Sequence, residues 1–230
     1  MQPDSIGLAG RLARALETSW RNIARPEQIE PAGDWWTVFL HMAGRGSGTT
    51  RAGAEWVHEL EAFGRAGRIA LVAPTAADAR DVMVQGESGI LETAPDYARP
   101  DYEPSKRKVT WPSGAVAMLF SVEEPERLRG PQHDAAWCDE LAAWQNMQSV
   151  WDQLQFGLRL GKRRRVMVTK TPRPVKLLKA LPKREGEDVV VSRSVTADNA
   201  ANLAPTFLSA IVGRHEGTRL ARQELLGEMV

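Results

Sequence analysis

Residues 43–50 combine alternating glycines with hydroxyl side chains, residue types that bind phosphate groups. They read Ala43-Gly44-Arg45-Gly46-Ser47-Gly48-Thr49-Thr50. In the pattern G-x-x-x-x-G-K-S/T, glycines let backbone N–H groups curl around phosphates, the lysine reaches the β and γ oxygens, and the hydroxyl holds Mg²⁺. Gly48 and Thr50 fit this pattern, whereas Ala43 and Thr49 do not. The segment predicts a phosphate-binding loop without its lysine, and a tight strand-to-helix turn is the alternative.

Two adjacent carboxylates, Asp139 and Glu140, follow a short apolar strand over Ala135 to Cys138. In a nucleotide hydrolase, the first acid helps to hold Mg²⁺ and the second orients or deprotonates the attacking water. Acids in this position also suit a helix N-terminus, where they complement the helix dipole. The pair therefore indicates hydrolysis only in combination with the loop.

Two further segments carry candidate site residues. The strand Arg165 to Thr169 ends in two hydroxyls, Thr169 and Thr171, which can sense a γ-phosphate if that strand neighbours the loop strand. An ordinary strand end is the alternative. The turn 127–133 contains Arg129, and arginine is the residue type that neutralises charge on a transferring phosphoryl group. A surface arginine beside a Gly-Pro turn is the alternative there.

Charge is balanced over the whole chain but not locally. Thirty Lys and Arg against 29 Asp and Glu give a formal net charge of +1, so bulk charge does not indicate nucleic acid. Residues 159–184, however, contain eleven Lys and Arg and no acid. This run predicts either a solvated loop or contacts with a phosphate backbone that do not read sequence. The single cysteine, Cys138, excludes internal disulfides, and no apolar run of membrane-spanning length occurs.

The elements that must position these residues alternate along the chain. Strands are predicted at residues 36–42, 68–74, 135–138, 165–169 and 189–191, and helices after Thr50, near Thr75 and around residues 150–158. Residues 108–120 predict a hairpin or two sheet edges. The pattern predicts an α/β fold with three layers and a mostly parallel sheet. We expect a helical extension over residues 1–30, a core over 31–204 and a helical segment over 205–230.

Long strings of this chain resemble the ATPase half of the phage terminase large subunit, of the tailed-phage and gene-transfer-agent type. They are residues 43–57, 73–78, 127–144, 169–174, 198–205 and 216–225. The resemblance implies a P-loop NTPase fold of the ASCE or RecA-like class and a motor that hydrolyses ATP to push double-stranded DNA through a portal into a procapsid. It also implies ATP and Mg²⁺ as cofactors, and a place of action in the host cytoplasm, at the procapsid and away from membranes. The implied partners are the portal protein, the small terminase subunit and further copies of the chain in a ring.

The resemblance assigns roles to matching residues. Thr50 and Asp139 would serve Mg²⁺, Glu140 would be the catalytic acid, and Arg129 would be a finger offered to a neighbouring subunit's nucleotide. Thr169 and Thr171 would belong to the motif that couples hydrolysis to movement. The loop residues Gly44, Arg45, Gly46, Ser47, Gly48 and Thr49 would contact the nucleotide, and Gln28 falls loosely in the adenine-recognition segment.

Two departures from the family matter. Relatives have lysine where Thr49 stands, and losing one positioned donor costs roughly 3–4 kcal/mol of transition-state stabilisation. Arg45 is the first candidate to replace it; Lys170 is predicted to point to the opposite face from Thr169. Relatives also continue into a metal-dependent nuclease domain, so no nuclease activity is expected from these residues. The main alternative function is a module that binds nucleotide without hydrolysis and contacts DNA or the portal. A RecA-like helicase is less favoured, because no helicase motif follows Pro174.

Overall fold

The centre of the protein is one twisted sheet of mostly parallel strands. The computed structural model describes residues 19–170, 174–204, 206–207 and 218–229. Within them the strands are β1 (Val38–Ala43), β2 (Arg68–Ala73), β3 (Asp101–Glu103), β4 (Lys108–Thr110), β5 (Val116–Ser121), β6 (Ala135–Asp139), β7 (Arg165–Lys170) and β8 (Val189–Ser194). Their order is β3-β4-β5-β2-β6-β7-β1-β8. The six strands from β5 to β8 in this order run parallel, and β3 and β4 add an antiparallel edge.

The helices connect these strands. They are α1 (Trp20–Ile23), α2 (Thr49–Ala62), α3 (Ala76–Asp78), α4 (Ile90–Thr93), α5 (Met147–Gly157), α6 (Lys176–Ala180) and α7 (Arg219–Glu224). A π-helical turn, Ala79–Val84, continues α3. Thr75 caps α3 by accepting a hydrogen bond from Asp78 N at 3.0 Å, which fixes where that helix begins.

Both faces of the sheet are covered, because side chains alternate between them along each strand. One face packs against α2 and the segment 79–90 and contains Phe39, Leu71 and Trp137. The other face packs against α5 and α6 and contains Leu40, Val72 and Cys138. Near-continuous apolar strands are typical of a parallel sheet buried on both sides. The predicted three-layer α/β fold is therefore confirmed.

The strands and helices fall close to the predicted positions, with one difference. The short edge strand β3 was missed, because three residues with two carboxylates do not show an apolar alternation. The predicted helical segments at the two ends lie partly outside the described residues, and α7 falls within the second of them. The predicted domain boundaries remain predictions. Within the described ranges, no helix combines the length and hydrophobicity needed to cross a bilayer.

Candidate functional site

The loop between β1 and α2 has the backbone geometry of an anion-binding turn. Gly46 and Gly48 have φ angles of 77° and 84°, in the left-handed region that favours glycine. Ser47 N–H donates to Gly44 O at 3.2 Å and closes the turn. The first N–H groups of the 14-residue helix α2 have no intrahelical acceptors, and they favour negative charge at the helix start. Residues 44–48 therefore present an anion site at the carboxyl ends of the strands.

Hydroxyl groups surround this turn. Thr49 and Thr50 are the first two residues of α2, and both are half-buried. Ser47 is buried, and its Oγ has no hydrogen-bond partner within the described residues. A buried polar atom of this kind is one that a ligand or water would satisfy. The loop thus retains oxygen ligands although it lacks the lysine.

Two residues of the segment before β1 donate hydrogen bonds to backbone carbonyls of the loop. Gln28 Nε2 donates to Gly48 O at 3.2 Å, and Arg25 donates to Ser47 O. Gln28 Oε1 also accepts from Arg25 N at 3.1 Å, so both ends of its amide are engaged within the protein. Sequence reasoning missed this support because the two residues lie far from the loop in the chain.

The C-terminal described segment also contacts the loop. Arg45 N–H donates to Glu224 O at 2.6 Å, and the Arg45 guanidinium pairs with the Glu224 carboxylate at 3.1 Å. A Cβ added at Gly44 would lie 2.3 Å from Leu225 O, so only glycine permits this approach. The predicted surrogate cation is therefore placed against α7 in this structure, with 67% of its side chain exposed. Its role toward phosphate remains a prediction.

The predicted carboxylate and hydroxyl at the ends of β6 and β7 lie together. Asp139 and Thr169 are paired in register across the two strands. Thr169 Oγ1 donates to Asp139 Oδ1 at 2.7 Å, and both side chains are buried. Burial raises the pKa of Asp139 to about 7, against the hydrogen bond from Thr169, which lowers it. No cation pairs with this carboxylate among the described side chains, so a cation is the partner that it needs.

Glu140 follows in a conformation that is unusual for a residue with a side chain. Its φ and ψ are both 45°, in the left-handed region, which costs on the order of 1 kcal/mol or more and is found at functional sites. Its backbone N–H donates to Thr169 O at 2.9 Å. Trp144 Nε1 donates to Asp139 O at 3.0 Å. These two hydrogen bonds stabilise the turn in which the chain leaves the direction of β6 at Glu140.

Arg129 is not part of this cluster within one chain. It follows the 3₁₀ turn Pro125–Leu128, is exposed, and pairs with Glu126 at 2.9 Å. An exposed arginine is what a finger for a neighbouring subunit requires, and this role stays a prediction. Thr171 lies outside the described residues.

The basic run 159–184 is partly engaged within the protein. Arg163 pairs with Asp34, and Arg184 pairs with Asp188. Arg165 covers the Trp36 ring at 3.5 Å from its centroid, and Lys170 is 1% exposed at the end of β7. The exposed cations that form no ion pair with other described residues are Arg159, Lys162, Arg164, Lys176, Lys179 and Lys183. The set of cations free to contact a phosphate backbone is therefore smaller than the sequence suggested, and such a contact stays a prediction.

The residues at the loop fit Mg²⁺ with a nucleotide. Mg²⁺ keeps several waters and needs only one or two protein oxygens beside the phosphates. Asp139 and Thr50 have side-chain oxygen atoms that could serve in this way. The described residues contain no group of three or more His, Cys, Asp or Glu that would build an all-protein metal cage. A shared metal–nucleotide site is therefore the arrangement that these residues suit.

The topology defines the class of protein. A glycine loop joins β1 to α2, the carboxylates end β6, and β7 lies between β1 and β6. This is the P-loop NTPase fold of the ASCE or RecA-like class. Residues 40–230 match the family model for the N-terminal part of the terminase large subunit, T4likevirus-type. The chain belongs to the terminase large subunit family.

Solved structures with the same fold include two phage proteins. The large terminase of a thermophilic bacteriophage, in complex with ADP, matches with a TM-score of 0.69 and 16% identity over 94% of this chain. The ATPase domain of a Thermus phage large terminase matches with a TM-score of 0.61 and 17% identity, over 88% of this chain and 95% of that one. This chain spans only 52% of the first structure. Among curated proteins, none matches this chain.

Proposed function

We propose that this chain is the ATPase part of a viral DNA-packaging motor, which couples ATP hydrolysis to movement of double-stranded DNA into a procapsid in the host cytoplasm. The observation that carries the proposal is the arrangement of Asp139, Glu140 and Thr169 at the ends of neighbouring strands, next to the strand that leads into the glycine loop. Membership of the terminase large subunit family supports the same function.

Each candidate site residue at the carboxyl ends of β1, β6 and β7 has a defined task in this proposal. The glycine loop would bind the phosphates through backbone N–H groups, and Thr50 and Asp139 would hold Mg²⁺, whose charge would offset that of the phosphates. Glu140 orients the attacking water and accepts its proton. Thr169 contacts Asp139 directly, so a shift of the Asp139 carboxylate would be passed to β7 and the motif that includes Thr171. This contact is the first step of coupling.

Arg129 completes the site from a neighbouring copy. Its exposure and its position outside the Asp139 cluster support action in trans, where an arginine adds on the order of 10³ to 10⁵ in rate. The copies form a ring on the portal, together with the small terminase subunit. An isolated chain therefore hydrolyses ATP slowly even with an intact loop.

The exposed cations of the run 159–184 are the proposed contacts with the DNA backbone. Binding through phosphates alone depends on salt and not on sequence. Replacing Lys176, Lys179 and Lys183 together by glutamine should reduce the salt dependence of DNA binding, whereas replacing Arg163 and Arg184, which are ion-paired, should matter less. Equal effects from the two sets would remove the run from the DNA interface.

The proposal is tested by restoring the missing lysine of the loop. Mg²⁺-dependent ATP hydrolysis is measured at high protein concentration for the native chain, Thr49→Lys and Thr49→Lys with Glu140→Gln. We expect Thr49→Lys to raise the rate by about 10² to 10³, and Glu140→Gln to abolish the gain. Comparable rates in the native chain and Thr49→Lys would assign the lysine's role to Arg45. Silence from all three, with intact nucleotide binding, would favour the second candidate.

That second candidate is a module that binds nucleotide without hydrolysis and contacts DNA or the portal. Two observations favour it: Thr49 replaces the lysine, and the Arg45 guanidinium is engaged by Glu224. Equilibrium binding of ADP and ATP is expected for both candidates, so it confirms the nucleotide site, and turnover of ATP separates them because only the motor hydrolyses it.

A further inference from the structure

Trp137 lies in the middle of β6 and connects the start of α2 to the candidate Mg²⁺ site. It is completely buried, and from sequence it would be a packing residue. A Cβ added at Gly53 would lie 2.1 Å from the Trp137 ring. Gly53 is one helical turn after Thr50, so the indole rests directly on the backbone of the helix that carries one proposed Mg²⁺ ligand.

The polar end of the same indole reaches the other proposed ligand through one side chain. Trp137 Nε1 donates to Thr169 Oγ1 at 2.7 Å, and Thr169 Oγ1 donates to Asp139 Oδ1 at 2.7 Å. All three side chains are buried. Hydrogen bonds in such an environment are short and mutually strengthening when every member is satisfied.

The direction of this chain of hydrogen bonds is fixed by chemistry when Asp139 is ionised. An indole N–H can only donate, so Thr169 Oγ1 must accept from it. The single hydroxyl hydrogen of Thr169 is then left for the carboxylate, whose ionised form can only accept. A rotation of the hydroxyl hydrogen would break the bond to Asp139, and a change of the Thr169 rotamer would break both bonds. The two bonds together therefore favour one rotamer of Thr169.

We propose that Trp137 is a positioning residue of the metal site, which acts on Asp139 through Thr169. This inference rests on the proposed nucleotide site and deepens it. It predicts that loss of the indole N–H weakens the Mg²⁺-dependent part of nucleotide binding and leaves the metal-independent part intact. No step of hydrolysis is assigned to Trp137.

The test makes the same Trp→Phe substitution at two buried positions, one beside the candidate Mg²⁺ site and one away from it. Trp137→Phe keeps an aromatic ring and removes the N–H. Trp111→Phe is the matched control, because Trp111 is also buried in the α2-facing layer and donates its N–H to His58 Nδ1 at 3.3 Å, away from the loop. The probe is ADP, titrated at increasing Mg²⁺ and in EDTA. Circular dichroism checks that each variant is folded.

We expect Trp137→Phe to raise the Mg²⁺ concentration for half-maximal tightening of ADP binding about fivefold, with ADP affinity in EDTA unchanged. Trp111→Phe should leave both values unchanged. Thr169→Val should have an effect at least as large, and Thr169→Ser should restore native behaviour. Because Trp137 acts through Thr169, the double variant should be no worse than Thr169→Val alone. Native Mg²⁺ dependence in Trp137→Phe, or additive effects, would overturn the inference.

A nucleotide-free measurement separates failure of this inference from failure of the proposed function. The eight tryptophans give indole N–H signals in a ¹H–¹⁵N spectrum, and the Trp137 signal is assigned by its loss in Trp137→Phe. Thr169→Val should shift that signal and leave the Trp111 signal in place. An unmoved Trp137 signal would overturn the hydrogen-bond chain itself. A shifted signal in a chain that shows no Mg²⁺-dependent ADP binding would instead overturn the proposed nucleotide site, and the metal role of Trp137 with it.

Discussion

Buried carboxylates are compensated differently at the two edges of the sheet, which are formed by the carboxyl ends and by the amino ends of the parallel strands. At the edge formed by the carboxyl ends of β1, β6 and β7, the loop edge, Asp139 is buried and its pKa is raised by burial. At the opposite edge, Glu30 is also buried, but it accepts from Arg65 at 2.6 Å and from Trp56 Nε1 at 2.7 Å. Burial of a carboxylate therefore does not mark a site. A site is marked where the compensating charge must come from outside the protein.

The same contrast applies to cavities. A cavity of about 720 Å³ lies at the opposite edge, beneath the amino ends of β2, β6 and β7. Its charged walls are largely neutralised by Arg163 with Asp34 and by Arg65 with Glu30. Asp134 in this wall accepts two backbone N–H groups, from Gly67 and Arg68. We therefore place the nucleotide at the loop edge and not in this cavity.

The largest expected effect concerns acid. Burial lowers the pKa of His41, at the loop edge, to about 4; the charge of Glu27 opposes this shift to a smaller extent, and that of Arg25 adds to it. Unfolded histidine takes up a proton below about pH 6.5, whereas folded His41 stays neutral until about pH 4. Stability contributed by this group is thus complete above pH 6.5 and lost as pH falls towards 4, by up to about 3 kcal/mol.

The measurement is urea unfolding of the native chain and His41→Gln between pH 7.5 and 4.5. The variant should lose stability less steeply on acidification. A difference between the two proteins that does not change with pH would contradict a neutral buried His41.

Asp139→Asn should separate function from stability at the loop edge. The amide can still accept from Thr169, but it cannot supply the charge that Mg²⁺ needs. Calorimetric titration should show Mg²⁺-dependent ADP binding weakened by about 100-fold, equivalent to about 2.7 kcal/mol. The free energy of unfolding should stay the same or rise, since a buried charge without a cation is removed. A clear loss of stability would mean that this carboxylate has a structural role.

Glu30→Gln makes the same chemical change at the opposite edge and should show the reverse pattern. The variant keeps one acceptor for Trp56 or Arg65 and loses the charge of the pair, so the free energy of unfolding should fall by about 1–2 kcal/mol. ADP affinity should remain native. A change in nucleotide affinity as large as that in Asp139→Asn would contradict the placement of the nucleotide at the loop edge alone.

The smallest expected effect is at the contact between the loop and α7. Glu224→Gln removes the ion pair that holds the Arg45 guanidinium. An exposed pair of this kind contributes less than about 1 kcal/mol, so stability should barely change. If Arg45 replaces the lysine, ADP affinity should rise about twofold to fivefold, and Arg45→Gln should abolish the gain. Unchanged affinity in Glu224→Gln would exclude that role for Arg45.

The sequence predicted the local elements well and the long-range contacts poorly, for physical reasons. The apolar runs of β1, β2, β6 and β7 and the glycines of the loop follow from burial and backbone geometry, which act between near neighbours. Register across strands brings Thr169 to Asp139, and this required only that β7 lie beside β6. That placement was not predicted from the sequence, which does not define the order of the strands in the sheet.

The missed contacts join segments that are distant in the chain. Arg25 and Gln28 reach the loop from before β1, and Glu224 reaches it from the other end of the chain. No periodicity links such residues. Trp137 was treated as a packing residue because its burial is visible in the apolar pattern, whereas the acceptor of its N–H is not.

Hydrogen exchange in the presence and absence of Mg²⁺ and ATP tests the contrast between the edges most directly, because it reports on both in one experiment. The nucleotide should protect backbone amides in residues 44–50 and around Asp139 and Thr169, and it should leave residues 30–34, 65–68 and 161–165 unchanged. Asp139→Asn should abolish the Mg²⁺-dependent part of the protection. Protection confined to the opposite edge, or absent from both, would contradict the assignment of the loop edge as the nucleotide site.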